Sequence, residues 1–227
     1  MFVKVETRAR NDFPWALLLL VLVSVLLFVL LAMAAPEQRQ AHVERWGAVP
    51  ETLFGKVGDL GDVWHEVRGL TLFSALFVHA DWLHLLGNLL FLILFGVAAE
   101  RALGPARFLL LFLAGGALSM LAAALIVDSP GHVIIGSSGA VSAILGAYVT
   151  LFPRARLGLV VPLGLYLEFV RVPAALLIGF WALLQVLFSY VGPSFGAVAW
   201  SAHLAGFVIG VLFALASRPA VFRRLRG

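Results

Sequence analysis

The sequence predicts an all-α polytopic membrane protein, a bundle of six transmembrane helices forming one membrane domain over residues 1–227. Three observations carry that prediction. The 227 residues are 62% hydrophobic with a mean hydropathy of +1.03. Charged residues make up 12%, about half the roughly 25% of ordinary globular domains. Finally, runs such as Trp15–Ala35 exceed the ~18–20 apolar residues that cross a bilayer.

The first span covers about 14–35. Its Pro14 suits a first helical turn, where a missing N–H costs nothing. The apolar run is longer than a signal-peptide core, so a retained helix is expected. Residues 36–81 form the long polar region and keep Trp46, Phe54, Trp64, Phe73 and Phe77 among the acidic residues. Short interfacial helices in an outer loop fit this mixture better than a disordered linker. Spans two and three cover about 82–103 and 105–127, separated by the turn residues Gly104-Pro105. A polar break at 128–132 follows. Span four, about 137–152, is short and rich in Gly, Ala and Ser, as a buried central helix would be. The stretch 153–171 is too short for a span and reads as a re-entrant or interfacial piece, or an extension packed on the bundle. Spans five and six cover about 173–190 and 200–216, and a basic tail follows.

Six spans put both termini on one side. If that side is cytoplasmic, twelve Lys/Arg face it, among them Arg101, Arg107, Arg154, Arg218 and Arg224, while Arg39, Arg45, Lys56 and Arg68 face outward. This is the positive-inside bias. The scattered basic residues serve topology, and a nucleic-acid partner is not expected. The expected location is a membrane, that of the prokaryotic inner membrane, with any site opening to the outer side. Cysteine is absent, which excludes disulfides, thiol nucleophiles and thiolate metal sites.

In this orientation spans two, four and six all descend from the outer face. They bring His84, Asn88, Ser138 and His203 to one depth. Polar residues inside a membrane are costly unless paired or wet, so their agreement in depth points to a site. Ser138 lies in Gly136-Ser137-Ser138-Gly139, where glycines let a partner approach the hydroxyl and a helix N-terminus offers free N–H groups. Taken alone, that serine is only a small packing residue, and Ser142 one turn deeper is one. His203 lies beside Gly206-x-x-x-Gly210, a small-residue face for close helix contact. Next to a serine, a neutral imidazole becomes a general-base candidate. No carboxylate stands at matching depth, so the expectation is a Ser–His dyad without an acid. His84 and Asn88 share a helix face and can donate to an oxyanion. A metal site from His79, His84 and His203 is the competing reading, although no His-Glu-x-x-His accompanies them. No metal and no other cofactor is expected. His42, His65 and His132 fall in outer loops without an assigned role. Glu100 and Arg101 end span two as topology and bundle-locking residues.

Together these motifs resemble the rhomboid family of intramembrane serine proteases over nearly the whole chain. His79-x4-His84-x3-Asn88, Glu100-Arg101, Gly136-Ser137-Ser138-Gly139 and Ala202-His203-Leu204-Ala205-Gly206-x-x-x-Gly210 stand in the family's order. The resemblance implies Ser138 as nucleophile and His203 as general base, with Asn88, His84 and the Ser138 amide forming the oxyanion site. It implies support of the loop and of water access by His79, and single-span membrane proteins as substrates. Two features depart from the pattern. Val67-Arg68 stands where the family has Trp-Arg, and Ser142 stands where many members place a ring on the catalytic histidine. Both bear on anchoring and orientation, and neither removes a reacting group. The alternative function is a catalytically inactive rhomboid-like factor that binds membrane proteins or acts as a chaperone.

Overall fold

The computed structural model describes residues 12–54, 68–126, 131–163, 166–191 and 200–226. The tail before Asp12, the acidic residues Asp59, Asp62 and Glu66, Val67 of the Val67-Arg68 pair and most of the break at 128–132 lie outside them.

Six apolar helices form the bundle: α1 (Trp15–Met33), α5 (Trp82–Leu103), α6 (Pro105–Ile126), α7 (Ser138–Leu151), α8 (Ala174–Val191) and α9 (Trp200–Arg226). α1, α5, α6 and the Trp200–Arg224 part of α9 are long and apolar enough to cross a bilayer, while α7 and α8 are shorter. Outward faces carry apolar side chains such as Leu22 and Leu26 on α1, Leu86 and Leu90 on α5, and Leu183 and Leu187 on α8. A lipid-facing surface requires this.

Among the described residues between α1 and α5 are three short helices, α2 (Pro36–Trp46), α3 (Pro50–Phe54) and α4 (Arg68–Ser74), then a 3₁₀ turn at Ala75–Phe77. The expected short helices are therefore present. They are also tied down. Ala48 and Ile134 exchange backbone hydrogen bonds of 2.9 and 2.8 Å, and the Gly136 N–H donates to the Ala75 carbonyl at 2.8 Å. The Ser74 hydroxyl donates to the Trp46 carbonyl at 2.7 Å, and Arg39 to the Ala80 carbonyl. These bonds hold the segment leading into α7 beneath the outer helices.

α5 starts where Asp81 caps it, accepting the His84 N–H at 2.8 Å. It stops at Gly104, whose φ of +82° suits glycine. The Glu100 carboxylate is 3% exposed and accepts the N–H groups of Ala16 at 3.1 Å and Leu17 at 2.7 Å. Glu100 thus supplies the cap that α1 lacks locally, since Pro14 has no side-chain donor or acceptor to offer. The bundle lock expected at Glu100 works through backbone amides. Its neighbour Arg101 contributes a carbonyl, which accepts from Arg224 Nε at 3.2 Å, while Arg224 also pairs with Asp12 at 2.6 Å. The start of α1 and the ends of α5 and α9 therefore meet at one end of the bundle.

α7 is the central helix. Every residue from Gly139 to Tyr148 is buried, as expected of a helix with no lipid-facing side. Its most extensive contact is with α9. A methyl added at Gly206 would strike the Gly139 carbonyl, and one at Gly210 the Ala143 carbonyl. Backbones this close leave no room for Cβ. Gly210→Ala is expected to lower stability by about 1–3 kcal/mol, the usual cost of overpacking. Thermal unfolding of the purified variant in detergent measures it.

Two elements differ from expectation. Residues 153–171 contain an antiparallel hairpin, β1 (Arg156–Leu163) with β2 (Tyr166–Pro173), paired from Arg156↔Pro173 to Leu163↔Tyr166. Hydropathy registers apolar content but not period. The β-branched Val160, Val161, Val170 and Val172, with Gly158 and Pro162, favour strand over helix. The hairpin is rooted by buried Leu157 and by the Ala174 N–H bonded to the Ala155 carbonyl at 2.8 Å. Secondly, α9 runs ten residues past 216, through Pro219, to Arg226. Ala214, Ser217 and Val221 are buried at helical spacing there, so a packed face continues beneath the charges that suggested a tail.

Candidate active site

Ser138, His84 and His203 lie in the first turns of α7, α5 and α9, and Asn88 lies in the second turn of α5. Ser138 is the first residue of α7. The glycine before its pair, Gly136, has φ +101°, and a Cβ there would fall on the His84 imidazole. Only glycine both turns the chain and lets it lie against that ring. Gly139 likewise sits against Ser119, whose Cβ would be 2.9 Å from an added methyl. Ser138 is therefore flanked by two glycines that each allow a close approach.

The Ser138 Oγ and His203 Nε2 are 2.7 Å apart. His203 Nδ1 lies 2.7 Å from Oε1 of Gln185 on α8. Trp181, one turn earlier on α8, holds its ring centroid 6.4 Å from that of His203, and Trp200 stands edge-on at 5.9 Å. Ser142 donates to the Ser138 carbonyl at 2.7 Å and leaves the imidazole to these two indoles.

Asn88 is 7% exposed, and its Nδ2 has no hydrogen-bond partner among the described residues. It faces the same cavity as His84, Ser138 and His203, a space of about 570 Å³ also lined by Trp181 and His132. His132 was given no role from sequence, and the structure puts it on the cavity wall.

His79 lies outside this cavity lining. It is 1% exposed, with Nδ1 3.3 Å from the Phe77 carbonyl and Nε2 3.4 Å from the Ser137 hydroxyl. Its ring meets that of His84 edge to face at 5.1 Å. Among the described residues no three His, Cys, Asp or Glu side chains converge as a metal set. Burial, and then the neighbouring His84, hold the His79 imidazole down at about 4. The unfolded chain takes up that proton near pH 6.5 and the folded chain does not, so stability rises with pH across this window. Stability is expected to be full above about pH 6.5 and to fall by on the order of 2–3 kcal/mol as pH drops towards 4. Comparing thermal unfolding of wild type and His79→Gln between pH 7 and 4.5 isolates this share.

Gln185 is the residue that sequence reasoning missed. A neutral amide within an apolar helix carries none of the charge by which a carboxylate partner of the histidine would stand out. Its intramembrane position was the available signal, together with its place one turn beyond Trp181.

The profile of the Rhomboid domain matches residues 62–219. The chain belongs to the rhomboid family. This rhomboid is 35% identical over 89 residues to YdcA of Bacillus subtilis, named as a candidate rhomboid protease, a match covering 38% of this chain and 44% of that protein. It is 32% identical over 170 residues to the mitochondrial RHOMBOID-like protein 12 of Arabidopsis thaliana, covering 67% of this chain and 48% of that one. It is also 30% identical over 97 residues to the mitochondrial presenilin-associated rhomboid-like protein A of Danio rerio, covering 42% and 25%. The chain thus spans under half the length of these relatives. One is bacterial and two are mitochondrial, so the comparisons do not support the prokaryotic inner membrane over other membranes.

Proposed function

We propose that this rhomboid is an intramembrane serine endopeptidase that cuts membrane-protein segments with a Ser138–His203 dyad. The observation that carries the reading is the 2.7 Å contact between the Ser138 hydroxyl and His203 Nε2 in one cavity with the unpartnered Asn88 amide.

In this mechanism His203 Nε2 takes the hydroxyl proton as Ser138 Oγ attacks the scissile carbonyl. The developing oxyanion is held by Asn88 Nδ2, the His84 imidazole and the Ser138 amide, a first-turn donor with no partner inside its own helix. His203 then gives its proton to the leaving amine. Water, activated by the same imidazole, hydrolyses the acyl-enzyme and returns the serine. The roles of Gly136, Gly139, Gly206 and Gly210 are steric, because each permits an approach that a side chain would block.

We assign both termini to the cytoplasmic side, from the basic residues at the Arg101–Arg224–Asp12 end of the bundle. The dyad lies toward the opposite end, so the site opens to the outer side. Its substrates would be single-span proteins cut near their outer ends, within the lipid bilayer.

A fluorophosphonate probe tests the reading. Labelling is expected at Ser138 and to require His203. A rhomboid-like factor that only binds membrane helices gives no labelling, and that result would overturn the protease reading.

A further inference from the structure

We propose that Gln185 is the positioning residue of the dyad, holding His203 in the tautomer and ring orientation that make it a base. This inference rests on the protease reading. A neutral imidazole carries one N–H. If the Ser138 hydroxyl is to be donated to Nε2, that nitrogen must be bare, and the proton must sit on Nδ1. A buried Nδ1–H then needs an acceptor. Gln185 Oε1 lies 2.7 Å from it, and the glutamine is 5% exposed.

The opposite arrangement gives the opposite chemistry. If the Gln185 amide nitrogen faced Nδ1, the imidazole proton would move to Nε2 and be donated to Ser138 Oγ. The serine would then have no base. The amide orientation is therefore tied to the function of the dyad.

An amide differs from a carboxylate in one respect. It fixes which nitrogen carries the proton and resists a flip of the ring, but brings no full charge to stabilise an imidazolium. Its contribution is orientation. Trp181 and Trp200 both stand beside the ring, and the α8 residues Trp181 and Gln185, one turn apart, both meet the imidazole. The imidazole is thus held at Nδ1 from α8 by Gln185 and at Nε2 from α7 by Ser138, while Ser142 bonds its own helix.

The test uses ¹⁵N-histidine-labelled protein in detergent micelles, with the His203 signals identified by their loss in His203→Phe. Wild type is expected to show the Nδ1–H form at pH 7. Gln185→Leu is expected to shift His203 mainly to the Nε2–H form and to slow fluorophosphonate labelling of Ser138 about tenfold or more, the direction seen whenever a triad's orienting acceptor is lost. Gln185→Glu keeps an acceptor oxygen and is expected to keep the Nδ1–H form and a labelling rate near wild type. A wild-type His203 in the Nε2–H form, or a tautomer unchanged in Gln185→Leu, overturns the proposal. Unlabelled wild-type protein with a Gln185-dependent tautomer defeats the protease reading and leaves the positioning role standing. Normal labelling with a Gln185-independent tautomer does the reverse.

Discussion

Ser138→Ala and His203→Ala are each expected to lower cleavage of a single-span membrane substrate by at least about 10⁴-fold, with the double variant no worse than either single one. Groups that act as one unit do not add, because removing either leaves the other with no step to perform. The contact that links them is single and short, 2.7 Å between Oγ and Nε2, and among the described residues no other histidine is hydrogen-bonded to the Ser138 hydroxyl. Ser137 faces His79 at 3.4 Å, and Ser142 is bonded to the Ser138 carbonyl. Ser138→Ala removes one oxygen from an intermediate-exposure position at a helix start, so folding should survive. Turnover of purified proteins in liposomes, alongside their unfolding temperatures, checks both halves. Cleavage by Ser138→Ala within tenfold of wild type would exclude the mechanism.

How much of this was legible in the sequence depends on what kind of signal each element leaves. The span expected at about 82–103 coincides with α5, because the acidic loop ends at Asp81 and Gly104-Pro105 marks a turn; that Asp81 also caps the helix is seen only in the structure. α7 was read as central because its small residues could not serve a lipid-facing span. α9 was cut short because charge was taken as an end signal, while the buried stripe of Ala214, Ser217 and Val221 continued below it. The hairpin at Arg156–Pro173 leaves no alternation in the sequence, because apolar residues stand on both faces of each strand and the charges Glu168 and Arg171 fall on opposite faces of β2.

The site shows the same division. Ser138, His203, His84 and Asn88 could be brought to one depth by topology alone, since alternate spans run in the same direction. Glu100 was visible as a locking residue, but its partners were not. They are the amides of Ala16 and Leu17, and a backbone donor leaves no letter in the sequence. Gln185 was hidden for a related reason: an amide forms no charge pattern, and the element that presents it carries no charged residue.

Asn88→Ala is expected to reduce kcat by about 10²–10³, with KM little changed, as for other lost oxyanion donors. The argument starts from an energetic oddity. A buried amide N–H without a partner costs about 1–3 kcal/mol, and Asn88 Nδ2 has no protein partner among the described residues while it faces the cavity of Ser138 and His203. A residue kept only for packing gains by losing the group, so Asn88→Ala and Asn88→Leu should not destabilise the fold through that nitrogen. A residue that meets an oxyanion recovers the cost only in the transition state, which places the loss in kcat. His84 lies one turn away on the same face and can still donate, so the activity that persists should fall further in His84→Ala/Asn88→Ala. Steady-state kinetics on one substrate, with fluorophosphonate labelling as a second readout, separates these cases. Equal kcat in wild type and Asn88→Ala would remove Asn88 from the chemistry and leave its unpaired nitrogen a packing defect.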